Sequence, residues 1–321
     1  MKPIGGYFEL ADREEGKNYP HKEGVSLNTG RNALEFILQS LGNVRKVYLP
    51  YYTCDVVLEP LRRLGISWEY YHINDRLEMV DNIAVAPNEY VIVNNYYGIK
   101  DAYVSQMAAR YGEQIIVDCA QAFFAPVIDG IKSFYSARKF VGVADGGVAY
   151  PFKNGLSVDN LCWDESSSHS EHLLIRKEKG PEAGFATYRE DEEKLNDQPM
   201  RRMSSFTEDI LLHINYECVI ELRRCNFALL ENALGHLNML NIPHCNSYVC
   251  PMAYPLMVEN GVDIRKRLIE NKVFVPKFWP NDSIPEEMLG PAKLSDTILP
   301  LPIDQRYGID DMDRIIKIIN H

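Results

Sequence analysis

Between about residue 25 and residue 150 the chain alternates short apolar runs with helix-like stretches, and this alternation constrains the fold more than any other feature. The apolar runs are VRKVYLP (44–50), ISWEYYHI (66–73), YVIVNNYY (90–97), QIIVDCA (114–120) and GGVAYPF (146–152). A helix-like stretch from Asp55 to Leu64 separates the first two, and another from Ala102 to Tyr111 separates the third and fourth. The pattern predicts βαβ units and an α/β fold with a mostly parallel sheet flanked by helices. Ligands of such sheets sit beyond the carboxyl ends of the strands. The residues that follow the strands therefore matter most: Tyr51 and Tyr52, Tyr96 and Tyr97, and Asp118 to Gln121.

Downstream the pattern changes. Residues 176–201 are highly charged with little apolar periodicity, which predicts an exposed connection. A helical region opens at Ser205, where Ser205 and Glu208 have the spacing of a capping box. Apolar residues then recur at helical spacing to about Leu240, as one very long helix or two in tandem. After Pro243, two strand-like runs, SYVCPMAYPLMV and KVFVPKFWP, flank a basic helix at about Asp263 to Asn271. A last helix carries Met312, Ile315, Ile316 and Ile319 on one face, with Asp310 and Asp311 at its favourable dipole end. At ~100–200 residues per domain, this reads as a large domain over residues 1–204 and a smaller α+β domain over 205–321. Residues 1–25 are expected to pack on the smaller one.

Charge narrows the function. Lys and Arg number 34 against 45 Asp and Glu, a net charge of −11, which argues against nucleic acid or an anionic membrane as partner. The amino-terminal residues include acids and no apolar stretch of the signal-peptide kind. No apolar run approaches the ~18 residues of a membrane span. The seven cysteines are scattered, with no CxxC pair and no zinc-type spacing, so no metal is expected. They read as reduced thiols of a cytoplasmic protein, most of them filling the core.

Three segments offer chemistry. In LNTGRNAL (27–34), Thr29 can cap a helix, Gly30 permits close approach to the backbone, and Arg31 adds a charge. Together they suit an anion. Asp118-Cys-Ala-Gln121 places a carboxylate at a strand's carboxyl end. In SARK (136–139), Ser136 and Lys139 share a face if the segment is helical, and DGG (145–147) follows. Each also fits an ordinary cap, turn or surface lysine. Their order is more informative: an anion cradle, a strand-end acid, then Ser-x-x-Lys are the parts needed to hold pyridoxal phosphate.

In these segments the chain resembles the DegT/DnrJ/StrS-type sugar aminotransferases, fold-type-I enzymes dependent on pyridoxal 5'-phosphate. The resemblance runs through TGRNAL (29–34), LPYYTCD (49–55), YYG (96–98), DCAQA (118–122), SFYSARK (133–139), DGG (145–147), LRRCN (222–226) and PLP (300–302), nearly the whole chain. It implies an aminotransferase that moves an amino group from glutamate to a keto sugar on a nucleotide, for surface polysaccharide or another glycan. Lys139 is then the Schiff-base lysine and Asp118 the partner of the pyridine nitrogen. Gln121 reaches the ring's 3-hydroxyl or packs on its face. Thr29, Gly30, Arg31 and Ser136 hold the phosphate, and Tyr52 or Tyr51 stacks on the ring. The resemblance also implies a homodimer, with partner residues from around Met203 to Ser205. Arg201, Arg202, Lys277 and Arg306 are candidates for the nucleotide phosphates. The chain departs from the family in being short, in Cys54 and Asn95, and in placing Ser133 one position off the usual serine, so that Ser136 is preferred. A lyase, aldolase or decarboxylase using the same cofactor, or a non-catalytic protein that keeps the fold, are the alternative readings.

Overall fold

The computed structural model describes residues 1–16, 18–151, 156–242, 250–279 and 293–320. Two short strands, β1 (Ile4–Gly5) and β2 (Val25–Leu27), precede α1 (Gly30–Leu41) and β3 (Lys46–Pro50). Then come α2 (Leu58–Arg63), β4 (Ser67–Tyr71), β5 (Glu89–Asn94), α3 (Asp101–Tyr111), β6 (Ile115–Cys119), β7 (Lys132–Ser136) and β8 (Gly147–Tyr150). Helices α4 (Glu171–Lys179), α5 (Phe185–Lys194), α6 (Ser205–Leu212) and α7 (Tyr216–Leu234) follow. The remainder is β9 (Ala253–Met257), α8 (Gly261–Glu270), β10 (Val273–Phe274), α9 (Leu294–Thr297), β11 (Ile298–Pro302) and α10 (Ile309–Asn320).

The seven-stranded sheet runs β2-β8-β7-β6-β5-β3-β4. All neighbours are parallel except where β8 meets β7 and β2. Successive side chains point to opposite faces of a strand, and the two cores follow that rule. Val91, Val93, Ile115 and Val117 join the side covered by Val104 and Met107 of α3. Ile92 and Ile116 join the other, against Leu34, Ile37 and Leu38 of α1 and Leu58 and Leu61 of α2. Burying such side chains is worth ~1.5–3 kcal/mol each, which is why both faces must be covered. The first core continues into the carboxyl-terminal lobe. There β9 and β11 form an antiparallel pair, and Met312, Ile315 and Ile319 of α10 are buried. β1 pairs in parallel with β10, so residues near the amino terminus complete a strand pair of that lobe.

Four sequence expectations need correction. Residues 176–201 include the end of α4 and all of α5, two helices packed together. Their inward positions include His172, Arg176 and Asp191, so they carry no apolar stripe. The helical region after residue 205 takes the second of its two expected forms, two helices in tandem, α6 and α7. The cap lies one residue earlier than expected: Ser204 accepts from the Thr207 amide, and no Ser205–Glu208 box forms. Of the six described cysteines only Cys119 and Cys250 are buried, while Cys162, Cys218 and Cys225 are exposed. The run KVFVPKFWP contributes only the two residues of β10, and 247–249 and Phe152 lie outside the described residues. Among the described residues, no helix is long and apolar enough to cross a membrane.

Candidate active site

The carboxyl ends of β3, β5, β6 and β7 lie along one edge of the sheet, as parallel pairing requires. Gly30, the first residue of α1, reaches this edge beside the end of β7. A β-carbon placed on Gly30 would lie 3.7 Å from the Cβ of Ser136. Thr29 caps α1 by accepting from the Asn32 amide at 3.2 Å. The helix therefore presents unpaired amides and its positive end near the Ser136 hydroxyl. The Arg31 guanidinium points elsewhere: it pairs with Glu59 at 2.5 Å and Asn196 at 3.0 Å.

The turn at residues 145–147 ties this cradle to the lysine segment. Gly146 donates to the Asn28 carbonyl at 2.7 Å and accepts from the Ala137 amide at 3.0 Å. Gly147 is obligatory, because any β-carbon there would sit 2.1 Å from the Thr29 carbonyl oxygen. Ala137–Lys139 form a single 3-10 turn at the end of β7. Half-buried Lys139 makes no hydrogen bond or ion pair with a described residue. Its charge nonetheless reaches Asp118 at the end of β6. Burial pushes the Asp118 carboxyl up from the usual range, against the opposing pull of Lys139 and of the Ala120 amide, which donates to it at 2.8 Å.

Gln121 and the YYG turn form the third part. Gln121 Oε1 accepts from the Tyr97 amide at 2.9 Å, whereas its buried Nε2 has no partner among the described residues. Tyr97 sits at φ 56°, an uncommon conformation for a bulky residue, and Met252 of the smaller lobe donates to its carbonyl at 2.8 Å. Next to it Gly98, at φ 67°, has no room for a side chain: a β-carbon would lie 3.0 Å from the Cys250 carbonyl oxygen. The Tyr52 ring is buried with Tyr96 and meets Trp279 edge-on at 4.7 Å, and its hydroxyl bonds that of Tyr97 at 3.1 Å.

Ser136 and Lys139 also line a cavity of about 770 Å³. Its other walls include Tyr7 and Phe8, His172 of α4, Tyr188 of α5, and Phe274 and Phe278 of the smaller lobe. Lys139 thus lines this space while its charge acts on Asp118. Sequence reading missed the α4–α5 wall entirely. It also missed Arg223, which is fully buried and bonds the Phe140, Met252 and Gln305 oxygens from within LRRCN. An arginine amid apolar helix positions was the available signal. The four phosphate candidates are all engaged: Arg201 with Asp164, Lys277 with Asp296, Arg306 with Glu9 and Asp304, and Arg202 over the Trp163 ring.

No protein-family model and no curated protein matches the sequence. Solved structures do match. DesV of S. venezuelae, in complex with a ketimine intermediate, has a TM-score of 0.63 at 17% identity, covering 92% of this chain and 83% of that one. A DegT DnrJ EryC1 StrS aminotransferase from Brucella abortus has a TM-score of 0.62 at 16% identity, covering 94% and 86%. The sugar aminotransferase CalS13 from Micromonospora echinospora has a TM-score of 0.60 at 15% identity, covering 99% of both chains. At these identities the likeness establishes the fold. The chain has the α/β architecture of those aminotransferases over nearly its full length.

Proposed function

We propose that the chain is a pyridoxal-phosphate-dependent aminotransferase acting on a sugar. It takes the amino group from an amino acid, glutamate in our reading, and delivers it to a keto sugar carried on a nucleotide, in the synthesis of surface polysaccharide or another glycan. The observation that carries this is the placement of Lys139: without a hydrogen bond or ion pair among the described residues, on a turn where its charge reaches the buried Asp118 and its side chain lines an open cavity. The fold shared with CalS13, described as a sugar aminotransferase, supports it.

The residues present fit the cofactor. An orphaned buried donor at Gln121 Nε2 needs an acceptor, and the Gly30–Ser136 cradle suits a phosphate. Bound there, pyridoxal phosphate supplies an electron sink for charge on the substrate carbon. The Gly30 amide and the Ser136 hydroxyl bind the phosphate, with Thr29 fixing the helix start. Asp118 holds the proton on the pyridine nitrogen. Gln121 Nε2 donates to the ring's 3-oxygen. Lys139 Nζ would hold the cofactor and could move a proton at the substrate α-carbon. Tyr52 supports the ring from the aromatic cluster, and the Arg31 side chain braces α1 through Glu59. Residues 1–204 serve as the cofactor domain and 205–321 as the smaller domain, in a homodimer.

Borohydride reduction of the protein mixed with pyridoxal 5'-phosphate, followed by peptide mass spectrometry, tests this reading. The cofactor mass should appear on Lys139 and be lost in Lys139→Ala, and L-glutamate should yield 2-oxoglutarate. An unmodified Lys139 would overturn the assignment. Trapping without 2-oxoglutarate would keep the cofactor and remove glutamate as donor.

A further inference from the structure

We infer that His172, oriented by Asp191, is the hydrogen-bond acceptor that reads a hydroxyl group of the acceptor substrate in the Lys139 cavity. The inference rests on the aminotransferase reading of Lys139.

His172 stands in the first turn of α4 and Asp191 in the last turns of α5, so the packing of the two helices brings them together. Asp191 Oδ2 receives His172 Nδ1 at 2.7 Å and the His172 amide at 3.4 Å, while Oδ1 receives Lys194 Nζ at 2.8 Å. Burial works against the Asp191 carboxylate, but these donors win and hold its pKa below the usual value. A carboxylate can only accept, so Nδ1 carries the proton and Nε2 is left as an acceptor. Burial, aided by the nearby Arg138 charge and resisted by the Asp191 bond, lowers the imidazole pKa and keeps the ring neutral. The rings of Tyr7 and Tyr188 flank it, with centroids at 5.7 and 5.4 Å.

Nε2 bonds no described residue and is not among the sealed polar atoms that lack a partner. His172 is a wall residue of the cavity, and Nε2 is the atom it has to offer. His169 provides the contrast: its Nε2 is sealed, and the residue does not line the cavity. Apart from Lys139 and Arg223, the charges on the walls are already matched. Arg138 pairs with Glu192, Arg176 with Glu9, Glu182 with Lys272 and Asp304 with Arg306. The rest of the surface is largely aromatic or proline, including Phe8, Phe185, Phe274 and Phe278. A neutral ring bearing hydroxyls suits these walls, and a diphosphate does not.

The test uses the holoenzyme with dTDP-glucose, a nucleotide sugar that carries a hydroxyl in place of the ketone. Nitrogen-15 spectra of labelled histidine should show His172 Nε2 unprotonated, and its signal should move when dTDP-glucose is added. Calorimetry should give a Kd about 5- to 10-fold weaker for His172→Phe, the loss of one neutral hydrogen bond. His172→Gln should fall between, because its amide oxygen can still accept. Asp191→Ala should weaken binding by freeing the ring from the orientation and tautomer that Asp191 fixes, seen as moved His172 nitrogen-15 signals, and it serves if His172→Phe fails to fold. Equal affinity across these variants, or a protonated Nε2 in the wild type, overturns this inference alone. No binding of dTDP-glucose to the wild type removes the nucleotide-sugar class and this inference with it. Absence of a reduced adduct on Lys139 overturns the aminotransferase reading itself.

Discussion

Two buried carboxylates in the sheet-bearing part of the molecule have opposite surroundings. Asp145 receives the Ser204 amide at 2.6 Å, the Ser204 hydroxyl at 2.7 Å, the Ser166 hydroxyl at 3.0 Å and the Thr207 hydroxyl. These four donors fix the start of α6 to the glycine turn. Asp118 receives one amide at 2.8 Å. Near it the buried Asn94 Oδ1 and Gln121 Nε2 have no partner among the described residues. Buried polar groups left unsatisfied cost ~1–3 kcal/mol each, so folded chains keep few of them. A saturated acid is part of the scaffold, and an unsaturated group of them at strand ends is ready for a ligand.

Substitutions can break this contrast. The largest effect belongs to Lys139→Ala, which should lower the glutamate half-reaction by about 10³-fold or more, read by 2-oxoglutarate release. Its apo protein should melt near the wild-type temperature, because Lys139 makes no hydrogen bond or ion pair with a described residue. Asp145→Ala should do the reverse and cost about 3 kcal/mol in denaturant unfolding, since it orphans several buried donors at once. Should its stability match the wild type, the scaffold side of the comparison fails.

Asp118→Asn sharpens the other side. The half-reaction should drop about 10²-fold, while apo stability stays within about 1 kcal/mol. The pH dependence has a definite sign. Burial raises the Asp118 pKa in the folded chain, so the folded state holds a proton that the unfolded state has released. Wild-type apo stability therefore falls, relative to Asp118→Asn, as pH rises from the ordinary carboxylate value of ~3.9 through the raised one. Parallel stability curves for the two proteins would show that Asp118 carries no such strain. The smallest effect is Ser136→Ala, about 5-fold weaker binding of pyridoxal 5'-phosphate in a fluorescence titration, for one neutral hydrogen bond.

The same division explains what could be read from sequence. Strands β3 to β6 and β8 were legible from their apolar runs, whereas β7 (KSFYS) has too few apolar residues to stand out, and DCAQA with SARK falls where β6 and β7 end. The α4–α5 wall was hidden because its inward residues bond rather than merely pack. His172 meets Asp191, Arg176 meets Glu9, and the Tyr7 and Tyr188 rings stack at 4.5 Å. Hydropathy records a residue's type and says nothing of its partner. The adjacent serines at 204 and 205 show the same limit at one residue's resolution, since either can cap and only geometry chooses. Arg31 shows it for charge, because Glu59 lies far along the chain.

The parallel pair of Ile4 with Val273 has a consequence for how the chain is made. A strand synthesised ahead of the sheet waits for a partner that leaves the ribosome only after the whole sheet has emerged. Closing so long a loop is slow compared with local contacts. The Tyr7 and Phe8 wall of the cavity follows directly on that strand. The pocket should therefore acquire its final shape as one of the last events of folding, after the Asp118 edge of the sheet is already in place.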